Sequence, residues 1–401
     1  MLYLPERHHH FENELQYSVA WDNAAARHFI ETLQAFTEQR FTQPNGWVIS
    51  DDPCLENSFY DGTAGIIWSQ YYLAHWGYGE LKHNYQAYLA QARVVHRERL
   101  SRLMTSPDYQ HGLLIGELGL IVAECRLGLT DNLRGEMSQI IEKLIHNPVC
   151  ELMWGAPGAL CVANFYRHQF PEFLDLTRAL ALQLEEDITT VERFQLKVWY
   201  QQLYGHYVAH LGAVHGFAGN AFSILKALPA LQTVTANNWK AAIIDTVSRT
   251  ALVQDSFANW PQSIAGERPG RTALLLQFCH GAPGLIACLS NLFGEDQFFD
   301  QLMIAGGELV WQAGPLKKGQ GLCHGNTGNG FSLLKLFQAT GDELWLYRAR
   351  QFAAFAMQQI FPKLNAGKKL DLSLWNGAAG LAHFVHHCLQ HSADIPTMDY
   401  F

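Results

Sequence analysis

Two dipeptides hold the residues best suited to chemistry. Cys279-His280 stands in FCHGAPG and Cys323-His324 in GLCHGNTG, each directly before the first glycine of a Gly-x-x-Gly motif. If the two loops occupy equivalent places in neighbouring units, two thiolates and an imidazole converge. With solvent as fourth ligand, that set has the pattern of a catalytic zinc site. Soft thiolates favour zinc over magnesium or calcium. A thiol entering the open position loses its proton at neutral pH and becomes a nucleophile toward carbon. Zinc-bound water for hydrolysis is the competing chemistry. Two anionic ligands reduce the Lewis acidity of the metal and tilt the choice toward thiol activation. The plain structural alternative is a pair of buried cysteines beside turn histidines. A third histidine, His215 in HGFAGNAF, holds the same motif position but follows Val214 in place of a cysteine. It fits an acid/base that protonates a carbanion or enolate, or else a hydrogen-bonded turn histidine.

These residues need a scaffold that brings distant loops together, and the chain supplies a repeat. Gly-x-x-Gly followed by an apolar stretch recurs at Gly62, Gly116, Gly155, Gly216, Gly281, Gly325 and Gly377. Chance pairing of 33 glycines in 401 residues gives roughly 2.7 such pairs. The first glycines lie from 39 (116 to 155) to 65 (216 to 281) residues apart. Each unit is therefore long enough for two helices and two loops. The segments 343–361, 333–339 and 381–390 read as helices, the first ending before Pro362. Strand-like alternation is rare. The chain reads as all-α: seven helical hairpins closed into an α/α toroid of seven inner and seven outer helices. The first and last motifs are as apolar as the middle ones, which argues against the polar caps of an open solenoid. One domain over 1–401 is expected, with an N-terminal arm and the first outer helix within 1–50. The glycines let the loops crowd at one mouth, and the expectation is that they leave backbone N–H groups free to face a ligand.

Composition excludes several classes. With 28 Lys+Arg against 37 Asp+Glu, the formal net charge of -9 gives no footprint for nucleic acid. No apolar run reaches about 18 residues, and the N-terminus lacks an apolar signal core, so a cytoplasmic protein without a membrane span is expected. Eight cysteines in a chain this long are no disulfide framework. Cys54, Cys125, Cys150, Cys161, Cys288 and Cys388 are read as core. His383, His386, His387 and His391 fall on one predicted helix at a spacing that mimics a metal face, but without an acidic partner they are read as structural. His8-His9-His10 is read as native and structural. There is no Walker loop and no Gly-x-Gly-x-x-Gly, so nucleotide cofactors have no support.

The motifs FCHGAPG and GPLKKGQGLCHGNTGNG, with the seven glycine pairs in order, resemble the lanthionine synthetase C-like (LanC-like) family over nearly the whole chain. The match is nearest the eukaryotic-type branch. The resemblance implies an α/α barrel with one zinc per chain at its mouth, held by Cys279, Cys323 and His324. His280 is then an adjacent site residue, and His215 matches a histidine proposed as acid/base. Lys318 matches a lysine placed for an anionic thiol such as glutathione, and Arg7 loosely matches an N-terminal arginine that meets a carboxylate. The implied reaction adds a thiol to dehydroalanine or dehydrobutyrine in a peptide or protein, forming a thioether by Michael addition.

The sequence departs from the cyclases of that family, which carry an aspartate near the third motif. Here CELMWGAPG offers Glu151 instead, and Asn376 replaces an acidic residue before the seventh motif. The leading reading is a zinc-dependent enzyme that adds glutathione or a similar thiol. The alternatives are a lanthipeptide cyclase, in which a cysteine of the precursor is the nucleophile, and a non-catalytic zinc- and glutathione-binding scaffold. A glycan-processing barrel would need paired acids at the mouth, and the motif loops offer only Asp61 and Glu117 in different repeats.

Overall fold

The computed structural model describes residues 1–10, 20–43, 52–104 and 106–401. Among these residues, fourteen α-helices fall into two alternating sets. Seven begin at the glycine motifs: α2 (Thr63–His75), α4 (Glu117–Gly128), α6 (Ala156–Tyr166), α8 (Phe217–Ala227), α10 (Ala282–Leu289), α12 (Asn326–Thr340) and α14 (Ala378–Gln390). Seven stand between them: α1 (Asn23–Phe41), α3 (Tyr85–Leu103), α5 (Asp131–Leu144), α7 (Pro171–Asp187), α9 (Thr233–Thr250), α11 (Gln297–Ala313) and α13 (Glu343–Asn365). The first set is inner. Every residue of α12 from Asn326 to Leu336, and of α14 from Ala378 to Cys388, is buried. The second set is outer, and α5 buries only the stripe Leu133, Met137, Ile140, Ile141 and Leu144, as the 3.6-residue period requires. The ring closes where α14 packs on α2 and α1 packs on α13 and α14. The fold is the α/α toroid expected from the repeat.

The two sets start differently. Outer helices are capped by side chains: Asp22, Asn84, Thr130, Asp296 and Asp342 each accept a first-turn N–H. Inner helices start at glycine, without a side-chain cap, yet their N–H groups are not left free as expected. In five of the seven the loop before the helix wraps back and its own carbonyl accepts the first N–H. Thr63 donates to Glu56, Glu117 to Gln110, Phe217 to His210, Asn326 to Gly319 and Ala378 to Asp371. At the fifth motif the Asn259 side chain substitutes, its Oδ1 accepting from Ala282 N at 2.7 Å. The second glycine makes this wrap possible. In all seven motifs a Cβ there would lie 1.9 to 2.2 Å from a carbonyl oxygen of the preceding loop, as between Gly284 and Phe278. The motif is thus a close-approach device.

A belt of backbone hydrogen bonds ties the seven loops together. The residue two before the first glycine donates to its counterpart in the next repeat: Cys279 to Cys323 (3.2 Å), Cys323 to Trp375 (2.9 Å), Trp375 to Tyr60 (3.0 Å), Tyr60 to Leu114 (2.7 Å) and Leu114 to Met153 (3.0 Å). One further link shifts by a residue, Leu152 donating to Val214 at 3.2 Å. The belt passes directly from the last motif to the first, which sets the spacing of every loop at the mouth.

Three details differ from the sequence reading. Short hairpins occupy the two widest motif spacings: β1 (Thr189–Val191) with β2 (Leu196–Val198), β3 (Gln201–Leu203) with β4 (His206–Val208), and β5 (Leu252–Gln254) with β6 (Phe257–Asn259). Three-residue strands are too brief to show a period of two. The β3–β4 turn is set by positive φ at Tyr204 (51°) and Gly205 (78°). Helix α13 runs through Pro362 to Asn365, because in its last turn the proline forfeits only one N–H. Cys54 is partly exposed, whereas Cys125, Cys150, Cys161, Cys288 and Cys388 are buried.

The arm expected over 1–50 is described at 1–10, 20–43; positions 11–19 and 44–50 lie outside the described residues. Residues 1–10 are strapped between the fifth and sixth repeats. His9 N donates to Pro315 O (2.7 Å), Lys317 N to Arg7 O (2.9 Å), and Asn259 Nδ2 to Leu2 O (2.7 Å). His8 Nδ1 bonds Gly314 O at 2.9 Å, a structural use of that histidine. No helix among the described residues is long and apolar enough to cross a membrane.

Candidate metal centre and active site

The belt places Cys279 and Cys323 on adjacent loops, and His324 follows Cys323. Their ligand atoms all lie within 4.8 Å of one another, and Cys323 Sγ is 3.6 Å from His324 Nε2. Both sulfurs are buried, whereas the histidine is half-buried. The other face of the imidazole is tied down: His324 Nδ1 lies 3.2 Å from Asn376 Oδ1, and Asn376 Nδ2 donates to Asp61 Oδ1 at 2.9 Å. An amide oxygen only accepts, so Nδ1 carries the proton and Nε2 presents its lone pair beside the sulfurs. Gln277 Nε2 donates to Cys279 Sγ at 3.0 Å. The Tyr60 hydroxyl is a hydrogen-bonding neighbour of Cys323.

Charge in this pocket is shared. Burial pushes the Cys279 thiol up, but hydrogen bonding with Cys323 and the imidazoles of His280 and His324 outweigh it and hold the thiol well below its ordinary value. Burial pushes the Cys323 thiol well above its ordinary value, and the Cys279 sulfur beside it adds to the rise. Burial works against a charged His324, yet the Cys279 sulfur draws its pKa upward. The pocket favours one thiolate and resists a second. A divalent cation resolves that conflict by neutralising both, so the donor set fits a soft metal ion.

His215, from the fourth motif, joins the same cluster through its electrostatic action on His280. Its Nδ1 lies 2.8 Å from Glu151 Oε2. Glu151 is fully buried and also accepts from Trp154 N (2.6 Å) and Met153 N (3.2 Å) within its own loop. The carboxylate thereby fixes the third-motif loop and the imidazole together, leaving Nε2 as the free nitrogen of His215. His280 is buried and is acted on electrostatically by Cys279, His215, His210 and His324. Burial lowers its pKa to about 4, and its Nδ1 has no hydrogen-bond partner among the described residues. His210, also lowered to about 4 by burial, has its ring centroid 5.9 Å from that of His280.

Lys318 is exposed on the sixth-motif loop and near enough to act electrostatically on both Cys323 and His324. Arg7 is brought beside it, its carbonyl accepting from Lys317 N. The structure thus gathers His215, His280 and Glu151 with the three candidate ligands, and sets Lys318 and Arg7 at the rim on the sixth-motif side. Glu117 is taken up elsewhere, in ion pairs with Arg97, Arg93 and His111, and its carboxyl is held at about 2: burial opposes ionisation, but His111 and Arg97 outweigh it. Sequence reasoning missed the Asp61–Asn376 tie, Gln277 and His210. Asp61 and Asn376 hold the motif position of His215, His280 and His324, so the signal was available in the repeat itself.

The fold and this centre define a LanC-like barrel. Residues 53–399 match the lanthionine synthetase C-like protein family, and the chain belongs to it. It is similar to Glutathione S-transferase LANCL1 of Danio rerio, 29% identical over 260 residues that cover 60% of this chain and 59% of the relative. It is also similar to LanC-like protein GCL1 of Arabidopsis thaliana, 35% identical over 112 residues, 26% of each. The matched part therefore spans less than two thirds of either relative's length.

Proposed function

We propose that this chain is a zinc-dependent enzyme that adds glutathione or a similar thiol to dehydroalanine or dehydrobutyrine residues in a peptide or protein. The observation that carries the reading is the convergence of Cys279, Cys323 and His324 in the same electrostatic cluster as the His215–Glu151 pair. The name of the LANCL1 relative supports the thiol. Cys279, Cys323 and His324 would hold one zinc, which when bound supplies the Lewis acidity that lowers the pKa of a substrate thiol.

The chain's own residues do the rest. Glu151 sets the tautomer of His215, with the proton on Nδ1 directed to the carboxylate when the ring is neutral. In its protonated form His215 Nε2 delivers a proton to the substrate α-carbon as the sulfur bonds to the β-carbon. The π pair of the double bond becomes the new C–H bond, and the net change is addition of S–H across C=C. No oxidant or reductant is needed. Buried His280, which both Cys279 and His215 act on, makes this part of the site low in dielectric. Lys318 and Arg7 pair with the thiol substrate's carboxylates. A reducing cytoplasm suits a centre built from free cysteines.

A second reading has an observation in its favour. Glu151 occupies the region where cyclases of the family carry an aspartate, and it is paired with His215. In that reading a cysteine of the substrate peptide replaces glutathione. The test is mass spectrometry of a dehydroalanine peptide incubated with the zinc-loaded protein. A chelator-sensitive glutathione adduct is expected. Zinc bound with ring closure but no adduct would select the cyclase, and zinc bound with neither product would leave the scaffold.

A further inference from the structure

A groove of about 740 Å³ lies in the segments before the fourth and fifth motifs, and neither Lys318 nor Arg7 lines it. One wall is the β3–β4 hairpin, which contributes Leu203, Tyr204, His206 and Val208, and the other is the loop over residues 262–269. The walls meet where Leu211 N donates to Gln262 O (3.0 Å) and Ile264 N to Ala209 O (3.1 Å). Its inner end is His210, whose ring neighbours that of His280, the residue after Cys279. Its outer end is Tyr204, whose hydroxyl accepts from Trp154 Nε1 at 3.1 Å, and Trp154 N is bound by Glu151. The groove therefore flanks both the candidate ligands and the acid/base pair.

Its rim carries a distinctive charge. Glu267 is neutralised by Arg271 at 2.9 Å. Arg268 is exposed and has no ion pair among the described residues, yet it acts on His210 electrostatically. In a chain of net charge -9 this is a cationic lip on an otherwise acidic molecule. Tyr204 and Tyr207 on the hairpin are 57% and 70% exposed, and large exposed aromatics beside a cavity mark recognition surfaces.

We infer that this groove receives the electrophilic substrate as a polypeptide, and that Arg268 selects chains with an acidic side chain beside the unsaturated residue. The inference rests on the activity proposed above. With the thiol assigned to Lys318 and Arg7, the electrophile is left the other approach, and the groove reaches it through His210, which adjoins His280 and, through it, His215. An apolar wall of Leu203 and Val208 suits a chain's side chains, whereas the free guanidinium suits a carboxylate flanking them.

The test uses two dehydroalanine peptides, identical except for Asp or Lys next to the reactive residue, and a small N-acyl dehydroalanine amide. The zinc-loaded full chain should prefer the Asp peptide about tenfold in kcat/KM, a typical size for one steering charge pair at a rim. Arg268→Glu should reverse that preference, leaving zinc content and the rate with the small electrophile unchanged. An Asp preference that survives Arg268→Glu, or equal use of both peptides, overturns the inference. If none of the three electrophiles reacts, the proposed activity has failed, and binding still decides the groove. Fluorescence anisotropy of the Asp peptide with alanine in place of dehydroalanine should then show weaker binding to Arg268→Glu and Ala265→Trp. Equal binding by all three proteins overturns the inference.

Discussion

The mouth of the ring and its opposite end both gather histidines, and they use them in opposite ways. At the mouth, His215, His280 and His324 come from three repeats, and the belt brings them together. All three keep a nitrogen uncommitted outside the centre: His215 is held only through Nδ1, His280 Nδ1 has no partner among the described residues, and His324 is tied through Nδ1 with Nε2 beside the sulfurs. At the other end, His383, His386 and His387 come from a single helix, α14. Most of their nitrogens are hydrogen-bonded: His383 to Tyr400 (2.6 Å) and Ser69 (2.9 Å), His387 to Ser392 (2.7 Å) and Tyr400 (3.4 Å), and His386 to Tyr78 (2.9 Å) through Nδ1. His386 also stacks on Trp76 with ring centroids 3.7 Å apart. The fourth member of the run, His391, ends the helix in a left-handed conformation. Spacing along one helix therefore builds an aromatic core, whereas spacing across repeats builds a site. What separates the two is that the mouth sets its imidazoles beside two sulfurs, whereas the other end packs them among aromatic rings and hydroxyls.

Removing a sulfur should break the comparison most severely. Cys323→Ala should lower zinc from about one per chain to near none and slow addition by about a thousandfold or more. Full zinc retention by that variant, read by elemental analysis of the purified protein, would remove the assignment of the centre. Glu151→Gln should act on the other half of the mouth. Zinc should stay, while kcat falls about a hundredfold because the amide no longer enforces the His215 tautomer. His215→Ala should cost a similar factor, and the double variant should be little worse than either alone, since the two residues act as a pair. Independent, additive losses would mean that Glu151 only holds its loop. Asn376→Ala should be milder, weakening zinc binding by roughly 10–100-fold through loss of the brace on His324. A chelator competition titration measures it, and an unchanged affinity would show that the Asp61–Asn376 tie does not orient the ligand.

How much of this was legible in the sequence follows from the same contrast. The repeat was visible because its cause is steric. A Cβ on each second glycine would lie under 2.3 Å from a carbonyl oxygen, so no other residue fits and the pattern survives in the letters. The inner and outer helices were visible for a related reason: burial on all sides demands the long apolar run of α14, and burial on one side demands the stripe of α5. Cys279, Cys323 and His324 stood out by residue type and by shared motif position. The hairpins β1 to β6 did not, because their three-residue strands are fixed by turn geometry and by packing on α9 and α11. The bond between Glu151 and His215 joins residues 64 apart in the chain, and only the belt link from Leu152 to Val214 decides that they meet. Arg268 and Glu267 are alike in the sequence as neighbouring charges. Only the fold shows that one is spent on Arg271 and the other faces a groove.

The smallest predicted effect concerns stability and tests the other end of the ring. Burial lowers the pKa of His386 to about 4 and of His387 to about 3, and lowers that of fully buried His383 well below its ordinary value. The charges facing this group are few: Arg27 acts on His386, and Lys335 and Asp399 act on His387. In the unfolded chain each histidine takes up its proton near pH 6.5, whereas in the folded chain it waits until about 4 or below. The unfolded state therefore binds more protons in that window, and stability is lost as pH falls from 6.5 toward 4. Asp399, the carboxylate facing His387, does not contribute to the upper part of that loss. Asp399 is held at about 2 because Lys335 and Lys226 outweigh its burial, so its contribution disappears only as pH falls below its unfolded value near 4. For one buried neutral histidine the loss between pH 7.5 and pH 5 is about 2 kcal/mol. His387→Gln should reduce the pH dependence by that amount while leaving zinc content and addition rate at pH 7.5 unchanged. Urea unfolding of both proteins at the two pH values measures it. A pH dependence equal in the two proteins would mean that His387 is not a buried neutral group, and a loss of zinc would mean that the two ends of the ring are not separate after all.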